Sequence, residues 1–125
     1  MKTTGRAARV AEKIQREVAD ILTKKVRDPR LELATVTGVK VTSDLKLARI
    51  YYCAHGDEER KDEVRSAIAS AQGFVKRELA QRLKLKYMPE LEFYYDESVD
   101  YAQRIDSILD DLRKERGGEG EDGPE

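Results

Sequence analysis

The sequence predicts an α+β two-layer domain in which three strands are covered on one face by helices. Three observations carry this reading. An amphipathic helical pattern opens the chain, two β-rich runs joined by a short polar turn follow it, and a lone alternating run separates two further helical patterns. The order is α, β, β, kinked α, β, α. At 125 residues the chain has room for one compact domain, since a chain of this size buries roughly two-thirds of its unfolded surface. Hydrophobic and charged residues each contribute 39%, so the chain is highly charged yet has enough Leu, Ile and Val to fold.

The first helix is expected from about Arg6 to Lys25. Val10, Ile14, Val18, Ile21 and Leu22 fall on one face with Ala7 and Ala11 beside them, and Arg9, Lys13, Arg16 and Lys24 lie mostly off that stripe. Pro29 ends the run, because it disfavours helical backbone at Asp28 and lacks an N–H to continue the ladder. The first strand spans Leu33 to Val41, and the turn T-S-D-L-K leads to a second ending near Ala54, so the two form an antiparallel hairpin. In the second strand Ala48, Ile50, Tyr52 and Ala54 share one face. Leu47, Arg49, Tyr51, Cys53 and His55 share the other, which Arg49 marks as the open one.

Asp57, Glu58 and Glu59 suit a helix N-terminus, and Val64, Ala67, Ile68 and Ala71 continue at helical spacing. Gly73 interrupts this run, since glycine costs about 1 kcal/mol relative to alanine in a helix interior. S-A-Q-G-F is therefore expected to mark a kink or close-approach point between two helices, with Phe74, Leu79, Ala80 and Leu83 buried beyond it. After Pro89 a third strand places Leu91, Phe93 and Tyr95 inward and Glu92 and Tyr94 outward. Ser98 can cap a last helix whose stripe is Ala102, Ile105, Ile108, Leu109 and Leu112. Counting the broken helix as two, the order through the third strand matches a type II KH domain. Residues 1–116 form the single domain of this reading, and 117–125 a disordered acidic tail with no apolar residue to bury.

No apolar run approaches the roughly 20 residues of a bilayer span, and MKTTGRAAR lacks the apolar centre of a signal peptide, so a cytoplasmic location is expected. One cysteine and one histidine are too few for a structural zinc site, and the sequence calls for no metal or cofactor. Cys53 and His55 share a strand face, but Cβ atoms two residues apart lie roughly 7 Å from each other, too far for a nucleophile and its base. Asp57, Glu58, Glu59, Asp110 and Asp111 have no spacing that forces a metal cage or an acid–base pair, and there is no phosphate-cradling glycine loop. No catalytic residue and no small-molecule substrate are assigned.

The net charge of −1 conceals an asymmetry: residues 1–27 carry +5, 28–60 carry −1, 61–88 carry +4 and 89–125 carry −9. Two segments supply the cations, Arg6, Arg9, Lys13, Arg16, Lys24 and Lys25, then Lys76, Arg77, Arg82, Lys84 and Lys86. Brought to one side they make an electrostatic footprint for phosphates; left apart they are solvated helix faces. A glycine opening a helix also lets a sugar-phosphate backbone approach its amides, with Lys76 and Arg77 one turn further on. Tyr51 and Tyr94 are read as covering the sheet and filling the core edge rather than stacking bases.

V-R-D-P-R-L after the first helix, V-K-V-T-S-D-L-K-L-A-R-I-Y in the hairpin, A-Q-G at Ala71 to Gly73 and P-E-L-E-F-Y-Y-D-E-S before the last helix span about residues 6–112. In these the chain resembles the ribosome-binding factor A family. The resemblance implies a KH-like domain in which the Ala71, Gln72, Gly73 kink replaces the usual Gly-x-x-Gly loop. It also implies a non-catalytic factor that binds the free 30S subunit and 16S rRNA late in assembly, supports pre-16S processing and matters for growth in the cold. Lys76 stands where the family commonly has Arg, and Ala102 where Gly is frequent. The expectation is a monomer of this kind; the alternatives are a general KH-like binder of single-stranded RNA and a protein-interaction module whose acidic tail is the active part.

Overall fold

The computed structural model describes residues 5–120, with side chains through residue 116. Its elements are α1 (Gly5–Lys24), a 3-10 turn (Pro29–Leu33), β1 (Ala34–Val41), β2 (Leu47–Ala54), α2 (Glu58–Leu83), β3 (Glu90–Tyr95) and α3 (Glu97–Gly120). The chain divides into two compact units at Tyr95 and Asp96, and the first contains everything but α3.

Asp28 ends the α1 region and starts the 3-10 turn. Its carboxylate accepts the Arg30 N–H at 3.0 Å while the Arg30 guanidinium grips it through Nε and Nη2, and Pro29 occupies the first position, where a missing N–H costs nothing. The hairpin forms as expected. β1 pairs antiparallel with β2, with one bulge between Val36 and Gly38, and β2 pairs in parallel with β3, so the sheet is mixed with β2 at its centre. Parallel neighbours need a long crossover, and α2 provides it. The turn is held by Thr42, whose hydroxyl bonds Asp44 and accepts the Leu47 N–H at 3.1 Å, and Leu45 takes left-handed backbone at φ 62° to close it.

Alternation in the sheet is as the sequence predicts. Ala48, Ile50, Tyr52, Ala54 and Leu91 are buried beneath Ile14, Val18 and Ile21 of α1 and Val64, Ile68, Val75 and Leu79 of α2, while Arg49 is exposed on the other face. Cys53 is the exception, a buried residue on the otherwise open side.

α2 corrects the expected break. It begins as anticipated, with the Asp57 carboxylate accepting the Arg60 N–H at 2.9 Å, and Gly56 turns into it at φ 122°, where a Cβ would meet that of Arg60 at 2.9 Å. It then runs unbroken past Ala71, Gln72 and Gly73 to Leu83 as one helix rather than two. The reason is packing: Val64, Ile68, Ala71, Val75 and Leu79 recur every three or four residues on one buried face, so the register holds across the glycine and outweighs its propensity. Val75 accordingly takes a fully buried place, with Phe74 and Leu83 packed only at the core edge.

The last helix also starts earlier than expected. Asp96, not Ser98, serves as its cap, accepting both the Ser98 N–H at 3.0 Å and the Ser98 hydroxyl. Described by itself, α3 carries Tyr101, Ile105, Ile108 and Leu112 at alternating spacings of four and three, a stripe that one helix cannot bury on itself. It continues to Gly120, past the expected boundary at 116; residues 121–125 of the expected tail lie outside the described residues.

Candidate nucleic-acid interface

The two basic segments meet because α1 and α2 lie side by side on the sheet. Arg82, near the end of α2, reaches across to α1 and donates to Glu17 Oε1 and Asp20 Oδ2, both at 2.8 Å. Its side chain is 23% exposed and its carboxylate partners about a third exposed, so this is a half-shielded pin between helices that leaves Arg82 little charge for a ligand. The pairing pushes the Arg82 pKa up, and Asp20 is held below the usual carboxylate range by its hydrogen bonds from Arg82 and then Lys24.

Beyond that pin, towards the N-terminal end of α1, cations outnumber carboxylates. Arg6, Arg9, Lys13 and Arg16 follow one another at spacings of three, four and three, which sets them along one side of the helix. They line a groove of about 460 Å³ with Val10, Glu12 and Leu85. Leu85 stands between Lys84 and Lys86, so the loop after α2 brings the second basic segment against the first. All four α1 cations are exposed, as are Lys84 and Lys86, and none of the six holds an ion pair among the described residues. Lys84 closes α2 in left-handed backbone at φ 52°, its N–H bonded to the Ala80 carbonyl at 3.1 Å. Glycine favours this position, and a lysine there is strained.

The remaining cations are dispersed. Lys24 pairs with Asp20 at 3.1 Å and Lys76 with Glu90 at 3.1 Å. Arg77 is exposed on the outer side of α2, one turn beyond the exposed Gly73. A Cβ built on Gly73 would meet only Arg77 Nη1, at 3.5 Å, so nothing in the fold requires glycine there. Lys25 sits at the far end of α1 in a second cleft, of about 320 Å³, facing Ser70, Ala71 and Phe74 of α2. Arg27, outside the expected site residues, also lines this cleft; it lies inside V-R-D-P-R-L, where the proline dominates the local signal. Tyr87, 77% exposed with Lys86 Nζ 5.6 Å from its ring centroid, is a further aromatic at the loop that composition alone did not single out.

With this geometry in place, a family model described as ribosome-binding factor A matches residues 6–109. This chain belongs to the ribosome-binding factor A family. The family's protein from Desulfatibacillum aliphaticivorans is 56% identical over 112 residues, covering 90% of this chain and 91% of that one. Among solved structures, the crystal structure of ribosome-binding factor A from Thermus thermophilus superposes with a TM-score of 0.61 at 28% identity, over 71% of this chain and 94% of the other. A homology model of the Thermus thermophilus factor, fitted into a cryo-EM map of a 30S complex, matches with a TM-score of 0.58 at 28% identity, covering 70% and 91%. The family's KH-like α+β fold is the fold described above. Among the described residues no helix is long and apolar enough to cross a membrane.

Proposed function

We propose that this protein is a non-enzymatic assembly factor that binds the free 30S subunit through 16S rRNA and supports late maturation and pre-16S processing. The observation that carries the proposal is the groove in which Arg6, Arg9, Lys13 and Arg16 meet the loop holding Lys84 and Lys86, with Glu12 its single carboxylate. Phosphates are the natural occupants of such a site, since several fixed cations at helical spacing match a charged backbone and displace its counterions. Arg77 beside Gly73 extends the contact along α2, and Lys25 with Arg27 forms a separate cationic cleft. Lys24, Lys76 and Arg82 contribute less, because each already faces a carboxylate.

The protein acts in this reading as a cytoplasmic monomer by binding alone. Burial of Cys53 beside an exposed His55 speaks against a thiol nucleophile, since a buried thiol is out of a substrate's reach. A factor favours one RNA arrangement only by binding it better than the competitor, so immature subunits must be preferred over mature ones.

Cosedimentation with free 30S subunits across a salt series tests this. Arg9→Glu with Lys13→Glu should abolish comigration at moderate salt while circular dichroism stays native, and the log–log salt slope should flatten by about 0.7 for each phosphate no longer neutralised. Unchanged comigration would remove the groove from the site. Association scattered over cellular RNAs would favour a general RNA binder, and RNase-insensitive capture a protein-interaction module.

A further inference from the structure

The face of the sheet turned away from α1 and α2 holds an arrangement that neither the core nor the helix groove uses. The parallel pairing of β2 with β3 sets Tyr51 beside Tyr94, and their rings stack with centroids 5.8 Å apart at an interplanar angle of 29°. On the other flank Tyr51 faces Gly38 of β1, and no atom lies within 4 Å of where a Gly38 Cβ would stand. The half-buried Tyr51 ring thus has an aromatic neighbour on the β3 side, while the position beside it on β1 carries no side chain, and Tyr94 is 42% exposed. These rings are not core-edge filler.

The charges around them are unusual for a sheet. Lys40 and Arg49 stand directly opposite each other on β1 and β2, with Lys40 Nζ 6.0 Å from the Tyr51 centroid. Like charges opposed across a strand pair destabilise it, and an anion placed between them removes the cost. Glu92, beside Arg49 on β3, accepts the Tyr94 hydroxyl bond, and that bond pushes the Tyr94 pKa up, so the ring is neutral at physiological pH.

We propose that this face binds an unpaired RNA base, stacked on Tyr51 over Gly38, with the adjoining phosphate between Lys40 and Arg49. The inference rests on the RNA-binding function proposed above and adds a base-reading contact on the face opposite the helix groove. Duplex RNA keeps its base faces covered, so the site selects single strands.

The test uses the full chain and a labelled single-stranded octanucleotide RNA, with a duplex of the same sequence as control. Tyr51→Leu with Tyr94→Leu should weaken single-strand binding by at least about tenfold. Tyr51→Phe should retain it, because stacking needs the ring and not the hydroxyl, and Lys40→Gln should flatten the salt slope by about 0.7. With six tyrosines and no tryptophan in the chain, the part of the tyrosine quenching that the double leucine variant loses reports the stack. Unchanged affinity in the double leucine variant, with Arg9→Glu and Lys13→Glu still disruptive, would overturn the platform and leave the groove standing. The reverse pattern would retain the platform and overturn the groove. Loss of 30S comigration with oligonucleotide affinity intact would assign this face to a protein contact and overturn the inference, as would Tyr51→Phe failing like the leucine variant.

Discussion

Gly73→Ala is expected to raise stability and lower affinity together. Gly73 lies in the interior of α2, flanked by the core residues Ala71 and Val75, in ordinary helical backbone. Alanine in a helix interior is favoured over glycine by about 1 kcal/mol, and glycine's extra freedom in the unfolded chain is part of that difference. The added Cβ meets one atom, Arg77 Nη1 at 3.5 Å, which is ordinary contact with the tip of a flexible side chain, so no steric cost offsets the gain. For a chain of this length about 1 kcal/mol raises the melting temperature by about 4 °C. A methyl pushed into a phosphate backbone seated against the helix costs on the order of 1–3 kcal/mol, a loss of roughly 5- to 150-fold in affinity. Thermal melts by circular dichroism and cosedimentation with 30S subunits measure the two effects on one preparation. A lowered melting temperature would show that the helix needs the glycine for its own path, and an unchanged affinity would show that no backbone approaches it.

Lys84→Gly makes the complementary case, because glycine adopts φ 52° without the roughly 1 kcal/mol that an L side chain incurs there. The expected outcome is unchanged or higher stability with weaker subunit binding, and a clear loss of stability would contradict the strain argument. Acid should destabilise the fold through three aspartates held below the usual carboxylate range: Asp20 by hydrogen bonds from Arg82 and Lys24, Asp28 by that from Arg30, and Asp44 by the Thr42 hydroxyl and the Lys46 N–H. Since the unfolded chain takes up their protons first, their contribution is complete above an unfolded value of about 4 and is lost as pH falls through the folded values. Melting temperatures measured from pH 7 to pH 2 should hold level and then fall below about pH 4; a rise on acidification would reverse the sign of the argument.

Much of the fold was legible because it rests on local periodicity. The face of α1, the hairpin and the alternation of Leu91, Phe93 and Tyr95 each rest on a pattern within one or two neighbouring elements, and all three stand in the structure as read. The break at Gly73 was misread because a single residue's propensity says nothing of the core contacts on either side; Ala71 and Val75 decide it, and their burial is a tertiary fact. The cap at Asp96 was missed for a smaller reason, since an Asp or a Ser can each accept an N–H from the first turn and spacing alone did not choose between them. Arg82 was illegible altogether. Its partners are 62 and 65 residues away, and nothing local to R-L-K-L-K distinguishes a pin between helices from a phosphate contact.

That last distinction sets a bound on how the protein can bind. Of the eleven lysines and arginines first assigned to the two basic segments, Lys24, Lys76 and Arg82 already face carboxylates, which leaves eight, and Arg27 beside Lys25 makes nine. At about 0.7 per phosphate on single-stranded RNA, the helix layer therefore supports a log–log salt slope no steeper than about −6. Reaching that limit requires Lys25, at the far end of α1 in its own cleft, to engage together with the stripe that starts at Arg6. Lys25, just past the end of α1, stands nineteen positions from Arg6, about 28 Å at 1.5 Å per helical residue, a span that one RNA strand laid along α1 can cover and an isolated phosphate cannot. A slope near −6 would thus mean an extended strand along the whole helix, while a slope near −4 would confine contact to the groove beside Leu85. Magnitudes beyond the limit would require cations outside the helix layer, and Lys40 with Arg49 on the sheet are the pair already held against each other.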